Sequence, residues 1–232
     1  MDLIETLRTT GAVRDFVDEP VPDDVVATIL DTARFSPSGG NRQGWRVVLV
    51  KDAEIRRRLR DLYLDGWYDY LAMHLAGLTP WAPVTDRDAE QQALATAPAL
   101  AERAAAAPNP GFPETLDQVP VVLAIFADLK ALAAVDRDFD RYTFAGGASV
   151  YPFAWSILLA ARAHDLAGVM TTMPIRQEEA VRALFGAPDD HALAAVVVLG
   201  HPVRQPRRLT RASVPDFTTV DGFDGPPLPG PS

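Results

Sequence analysis

The run Pro37-Ser38-Gly39-Gly40-Asn41-Arg42-Gln43-Gly44-Trp45 concentrates more chemistry than any other stretch of the chain. A connection from a helix to a strand needs only a few residues of no special kind. Here two adjacent glycines let backbone approach a ligand and turn free N–H groups toward it. Ser38, Asn41 and Gln43 add donors and acceptors suited to the edge of a flat heteroaromatic ring. Taken alone, the run serves equally well as a polar turn around a half-buried Trp45. A second concentration lies near the C-terminus, where Arg204, Arg207, Arg208 and Arg211 crowd together in a chain of formal net charge -9. The planar guanidinium fork gives paired, charge-assisted hydrogen bonds to phosphate, although a generic basic tail has the same composition.

Other chemistries are excluded by what is missing. The chain has no cysteine, so disulfides, thiolate nucleophiles and Cys-ligated metals are ruled out. His74, His164, His191 and His201 show no metal-ligand spacing. Redox chemistry here would need an organic cofactor. The acidic balance argues against non-specific nucleic-acid binding, while leaving room for one basic pocket. The N-terminus lacks a signal-peptide core, and no apolar run approaches the ~20 residues of a membrane helix. The expectation is a soluble cytoplasmic protein with neither nucleic acid nor membrane as partner.

The elements that must position these groups follow from periodicity. The 232 residues, 48% of them hydrophobic, read as a single domain over 1–232. Leu3, Ile4 and Leu7 predict a helix over 1–10. Pro22-Asp23-Asp24 starts a second helix, with Val25, Val26, Ile29, Leu30 and Ala33 as its buried stripe. A strand follows at 46–50. A third helix, capped by Asp52, carries Arg56, Arg57, Arg58 and Arg60, most simply a solvated face. Residues 64–118 read as an irregular, lid-like excursion with an alanine-rich helix near 89–107. Further strands are expected at 119–127, 168–171 and 194–199, with helices at 144–164 and 177–186 and a C-terminal extension from about 203. Helices separate the strands, which predicts an α+β sandwich around a small mixed sheet. The 144–164 helix is apolar on nearly every face, so it must be covered all round. One chain of this length cannot do that alone, and a homodimer is expected.

Residues 9–50 also resemble, in order and spacing, the opening of the nitroreductase family of flavin mononucleotide (FMN) enzymes. The resemblance rests on Arg14 two residues before Phe16, on the Glu19-Pro20-Val21-Pro22 turn into a helix, and on Pro-Ser-x-x-Asn-x-Gln-x-Trp after it. Gly168 to Ile175, with its Thr-Thr-x-Pro turn, and Phe185 to Pro202 match as well. It implies a nitroreductase-like sandwich with the central helix at a dimer interface, binding FMN and taking electrons from NAD(P)H. The implied cofactor contacts are Arg8, Thr10, Arg14, Ser38, Gly39, Gly40, Asn41, Gln43, Thr171, Thr172, Met173, Arg208 and Arg211. Many family members carry Arg-x-Ser-x-Arg/Lys where this chain has Thr10-Gly11-Ala12-Val13-Arg14, so only Arg14 is retained. Arg14 is left to face either the phosphate or the N1/O2 edge of the flavin. Trp67, Tyr68, Tyr70 and Trp81 lie where the family builds its substrate wall, and they suit a flat, electron-poor acceptor such as a nitroaromatic or quinone. No catalytic acid, base or metal is required. A flavin-sequestering protein without turnover, and a specialised relative acting on another aromatic, remain the alternatives.

Overall fold

The computed structural model describes residues 2–231. Met1, included in the predicted first helix and domain, lies outside them, as does Ser232. In chain order the main elements are α1 (Leu3–Thr9), α2 (Asp23–Ala33), β1 (Trp45–Leu49), α3 (Ala53–Leu75), α4 (Arg87–Leu94), α5 (Ala97–Ala105) and β2 (Val121–Asp128). After these come α6 (Tyr151–Ala161), β3 (Ala167–Thr171), α7 (Glu178–Phe185), β4 (His191–Gly200) and α8 (Val214–Phe217). Acidic side chains start several helices as expected. Asp2 accepts from the Ile4 and Glu5 amides, and Asp52 from those of Glu54 and Ile55.

The four strands form one sheet in the order β1-β2-β4-β3, with every neighbouring pair antiparallel. The sheet is therefore antiparallel where a mixed one was expected. Alternation of helices and strands counts the elements but not the chain reversals between them. The Met173–Gln177 turn and α7 bring the chain back to the end of the sheet where β3 stopped. β2 lies at the centre and is buried along nearly its whole length. Val121, Leu123, Ile125 and Ala127 pack with Val26 and Ile29 of α2 and Phe153 and Ile157 of α6. The alternate residues Val122, Ala124 and Phe126 face Leu59 and Tyr63 of α3 and Val181 of α7. A helical layer thus covers each face, as the unbroken apolar run of β2 requires.

Two predicted elements differ. The central helix proper is α6; residues Ala145–Ser149 and Arg162–His164 flanking it are 3-10 turns. Pro152 sits in the first turn of α6, where its missing N–H is harmless, and this favours a fresh start there over continuation from 144. The irregular excursion also begins later than expected, because α3 continues through Gly66-Trp67 to Leu75. That dipeptide reads as punctuation in sequence, but in the fold Gly66 is buried against the Met173–Gln177 turn and Trp67 is half-buried. The arginine run on α3 is only partly a solvated face. Arg56 donates to the carbonyls of Val50 (2.8 Å), Val119 (2.7 Å) and Pro120 (3.2 Å), tying the end of β1 to the start of β2. Burial pulls its pKa down, opposed by the charge of Asp117. No helix among the described residues is long and apolar enough to cross a membrane.

Candidate functional site

The glycine-amide loop is strained where it is exposed and pinned where it meets the core. Gly40, Asn41 and Gln43 have φ of 60°, 52° and 49°. Left-handed backbone costs nothing at Gly40 but works against the two amides, and such strain clusters at binding sites. The Gln43 amide donates to Ser38 Oγ (3.0 Å), and Gln43 Nε2 donates to Asn41 Oδ1 (3.1 Å). The Gly39 amide donates to Ser149 Oγ at 3.0 Å. Trp45 then lies flat on Phe153 of α6, with ring centroids 4.5 Å apart. Trp45 is buried, so the aromatic end of the motif anchors the loop.

A basic cleft forms elsewhere. Arg8, Arg207, Arg208 and Arg211 converge with Leu7, Leu209 and Ala212 around about 570 Å³. Gln205 Nε2 donates to the Thr9 carbonyl at 3.0 Å and fastens this C-terminal segment to α1. Thr10 departs from expectation. It is buried, and its hydroxyl donates to the Thr6 carbonyl at 2.7 Å, so it closes α1 and does not line the cleft. Arg14 is not in that cleft either. The Val13 amide donates to the Gly168 carbonyl (2.9 Å), which lays this segment along β3.

Arg14 instead shares a neighbourhood with Thr171 and Tyr63. Burial pushes the Tyr63 phenol up, while a hydrogen bond with Thr171 and the charge of Arg14 pull it down. The Met173 amide donates to Thr171 Oγ1 at 3.3 Å, fixing the turn that follows β3; Thr172 beside it is exposed. Tyr63 was not singled out in the sequence. Its spacing of four from Trp67 on one helix was the available signal.

From Tyr63 an aromatic file runs along α3. Trp67 stacks on Tyr63 at 6.3 Å and on Tyr70 at 5.6 Å, and Tyr70 meets Trp81 at 6.2 Å. Tyr68 stands apart from this file, because one residue along a helix turns the side chain by about 100°. Its hydroxyl donates to Glu114 Oε1 at 2.9 Å, and Glu114 Oε2 accepts from the Gly111 amide at 3.0 Å. Tyr68, expected in the substrate wall, thus ties the turn at Gly111 to α3 and lies outside the aromatic file.

Burial first, and Glu114 second, push the Tyr68 phenol up to about 12. The folded state therefore holds this proton more tightly than the unfolded chain, whose tyrosine titrates near ~10. The resulting stability is complete below about pH 10 and is lost as pH rises toward about 12. Thermal melts from pH 9 to 12 should show Tm falling less steeply for Tyr68→Phe than for the parent. Equal slopes would mean that the pair contributes nothing to stability.

The loop and the Thr171 turn lie at opposite edges of the sheet. The glycine-amide loop leads into β1 at one edge, whereas Thr171 ends β3 at the other. Three strand spacings separate the edges, ~14 Å. Thr171 is level with Val48 through Val196 and Ala124, so Trp45 lies a further ~10 Å along.

A small antiparallel sheet thus lies between helical layers, with a cationic cleft, a strained amide loop and an aromatic file around it. The chain belongs to the nitroreductase family, whose family model matches residues 7–201. It is similar to iodotyrosine deiodinase 1 of Rattus norvegicus, 26% identical over 216 residues, 93% of this chain and 65% of that protein. The chain thus spans just under two thirds of the length of that relative. An NADH dehydrogenase of Thermus thermophilus is 28% identical over 210 residues, 84% of this chain and 83% of that protein. Among solved structures, oxidised iodotyrosine deiodinase bound to FMN and 3-iodo-L-tyrosine superposes with a TM-score of 0.64 at 20% identity, covering 96% of this chain and 100% of that one.

Proposed function

We propose that this protein is an FMN-dependent oxidoreductase that carries electrons from NAD(P)H to a flat, electron-poor acceptor such as a nitroaromatic or quinone. The observation that carries the reading is the basic cleft. Four arginines from two distant parts of an acidic chain line one cleft, a cationic lining that suits a phosphate group. Arg8, Arg207, Arg208 and Arg211 would hold that phosphate. Thr171, Thr172 and Met173 would meet the ring near N5, and Arg14 would lie toward its anionic edge. Ser38, Gly39, Gly40, Asn41 and Gln43 would close the site. When bound, a flavin supplies a two-electron centre that exchanges hydride at N5. The chain's own part is to orient the ring, place a cation where negative charge develops and exclude water.

Because the loop and the Thr171 turn lie at opposite edges of the sheet, one flavin cannot readily touch both within one chain. A homodimer with two shared sites resolves this, each copy lending its glycine-amide loop to the other's Thr171 side. The partly exposed stripe of Tyr151, Trp155 and Leu159 on α6 supports the same arrangement. The similarity to iodotyrosine deiodinases over 93% of the chain favours one second reading, reductive removal of halogen from a tyrosine-like substrate.

Anaerobic mixing with NADPH tests the proposal. The yellow protein should bleach and recover its colour on addition of a quinone. Release of free iodide from 3-iodotyrosine would move the reading to the deiodinase class. Flavin that stays oxidised under both NADH and NADPH would identify a sequestering protein and overturn turnover altogether.

A further inference from the structure

One cation stands on the aromatic file and is held there by three separate features. Arg176 lies in the Met173–Gln177 turn, directly after Thr171 and Thr172. Its guanidinium carbon sits 4.9 Å from the centroid of the Trp81 ring. Trp81 is the first feature, since it reaches that position from a left-handed backbone, φ 52°, which is a genuine outlier for a bulky side chain. The second is Gly66, buried in the middle of α3. A Cβ there would lie 3.2 Å from Arg176 Cγ, 3.2 Å from Met173 Cγ and 3.2 Å from the Met173 carbonyl oxygen. Glycine is disfavoured inside a helix, so the close approach of the turn to α3 is kept against helix propensity. The third is the contact with the ring itself, in which the cation is attracted to the negative face of the indole.

Among the described residues Arg176 has no carboxylate within ion-pair distance. The acid that feels its charge is Asp69 of α3, with Asp65 one helical turn before it. Burial pushes the Asp69 carboxyl up, with Arg176 pulling it down and Asp65 adding to the rise. The Arg176 side chain is exposed, so its donors are open to solvent and to any ligand that approaches the file.

We propose that Arg176 reads the charge of the acceptor, so that the site prefers flat aromatic molecules that carry a carboxylate. The proposal rests on the flavin oxidoreductase reading and names the substrate class of that site. Trp67, Tyr70 and Trp81 supply the apolar face for the ring, and the guanidinium takes the carboxylate at its rim. A charge-assisted hydrogen bond of this kind is worth about a tenfold to a hundredfold difference in affinity.

The test uses the flavin-loaded protein, photoreduced without nicotinamide so that nucleotide phosphates play no part. Reoxidation by para-nitrobenzoate and by para-nitrobenzamide is followed by stopped flow, and the ratio of their second-order rate constants is taken. The intrinsic difference between the two compounds is the same for every variant and cancels. Arg176→Gln should lower the benzoate-to-benzamide ratio about tenfold or more, whereas Arg176→Lys should lose much less. Trp81→Ala should lower the ratio to an intermediate value by releasing the guanidinium. An unchanged ratio in Arg176→Gln overturns the proposal. So does an equal fall in both rates together with a lowered Tm, which would mean that Arg176 only offsets Asp65 and Asp69. Flavin content is measured on each sample. A parent protein that holds no FMN overturns the oxidoreductase reading and this inference with it, whereas full FMN with an unchanged ratio overturns the inference alone.

Discussion

The Arg208→Ala/Arg211→Ala protein is expected to purify folded but nearly colourless. Both side chains line the cleft shared with Arg8 and Arg207, and neither has an acidic partner among the described residues. The Arg211 guanidinium reaches only the Thr210 carbonyl, at 2.7 Å. Removing them leaves no buried carboxylate unpaired, so stability should change little. Each charge-assisted bond to a phosphate contributes roughly 1.5–3 kcal/mol. Losing two should therefore weaken FMN binding by about a hundredfold to ten-thousandfold. The same change should make retention less salt-sensitive, because two of the charges that salt screens are gone. Arg14→Ala should act differently. It lies toward Tyr63 and Thr171 and outside the cleft, so it should weaken flavin less and alter reduction more. Absorbance of released flavin, with the Kd for added FMN, checks this. Full occupancy in the double variant would remove the phosphate assignment.

The second large effect concerns the partly exposed face of α6. Tyr151, Trp155 and Leu159 follow at intervals of four, on the side of the helix away from Phe153 and Ile157. Phe35 and Phe144 are also exposed, by 76% and 72%, and add apolar surface that a partner could cover. Placing Glu at both Trp155 and Leu159 should give a monomer. Each apolar side chain contributes about 1.5–3 kcal/mol when covered, and two-fold symmetry counts each position twice. The carboxylates would also have to be desolvated in the interface. Light scattering at micromolar concentration should show the parent as a dimer and the variant as a monomer, with flavin lost in parallel. A monomeric variant that keeps all its FMN would refute shared sites while leaving the dimer intact. A monomeric parent that keeps its flavin would refute both.

The local chemistry of this protein was legible in its sequence because it is carried by contiguous residues. The Pro37–Trp45 loop, the Thr171–Thr172 turn and the C-terminal arginines each announce themselves over a few positions. The helix of residues 23–33 and the strand of residues 121–128 follow from hydrophobic period and capping alone. Family membership was legible for the same reason, since motif order survives without any knowledge of packing.

What only the tertiary structure decided are the relations between distant segments. Strand direction was one, because alternation does not count reversals. The fate of single residues in a uniform run was another: Arg56 is drawn into the sheet end by carbonyls 63 and 64 positions away, while Arg57 pairs with Glu54 at the surface. Tyr68 and Trp67 are neighbours in sequence, yet one latches a turn and the other faces the aromatic file, because a helix separates adjacent residues by a quarter turn or more. Gly66 reads as a break, yet it lies inside α3 because the Met173 turn fills the space its side chain would take. Sequence fixes which groups exist and their local conformation. Only packing of the whole chain decides which face each one shows and which distant group it meets.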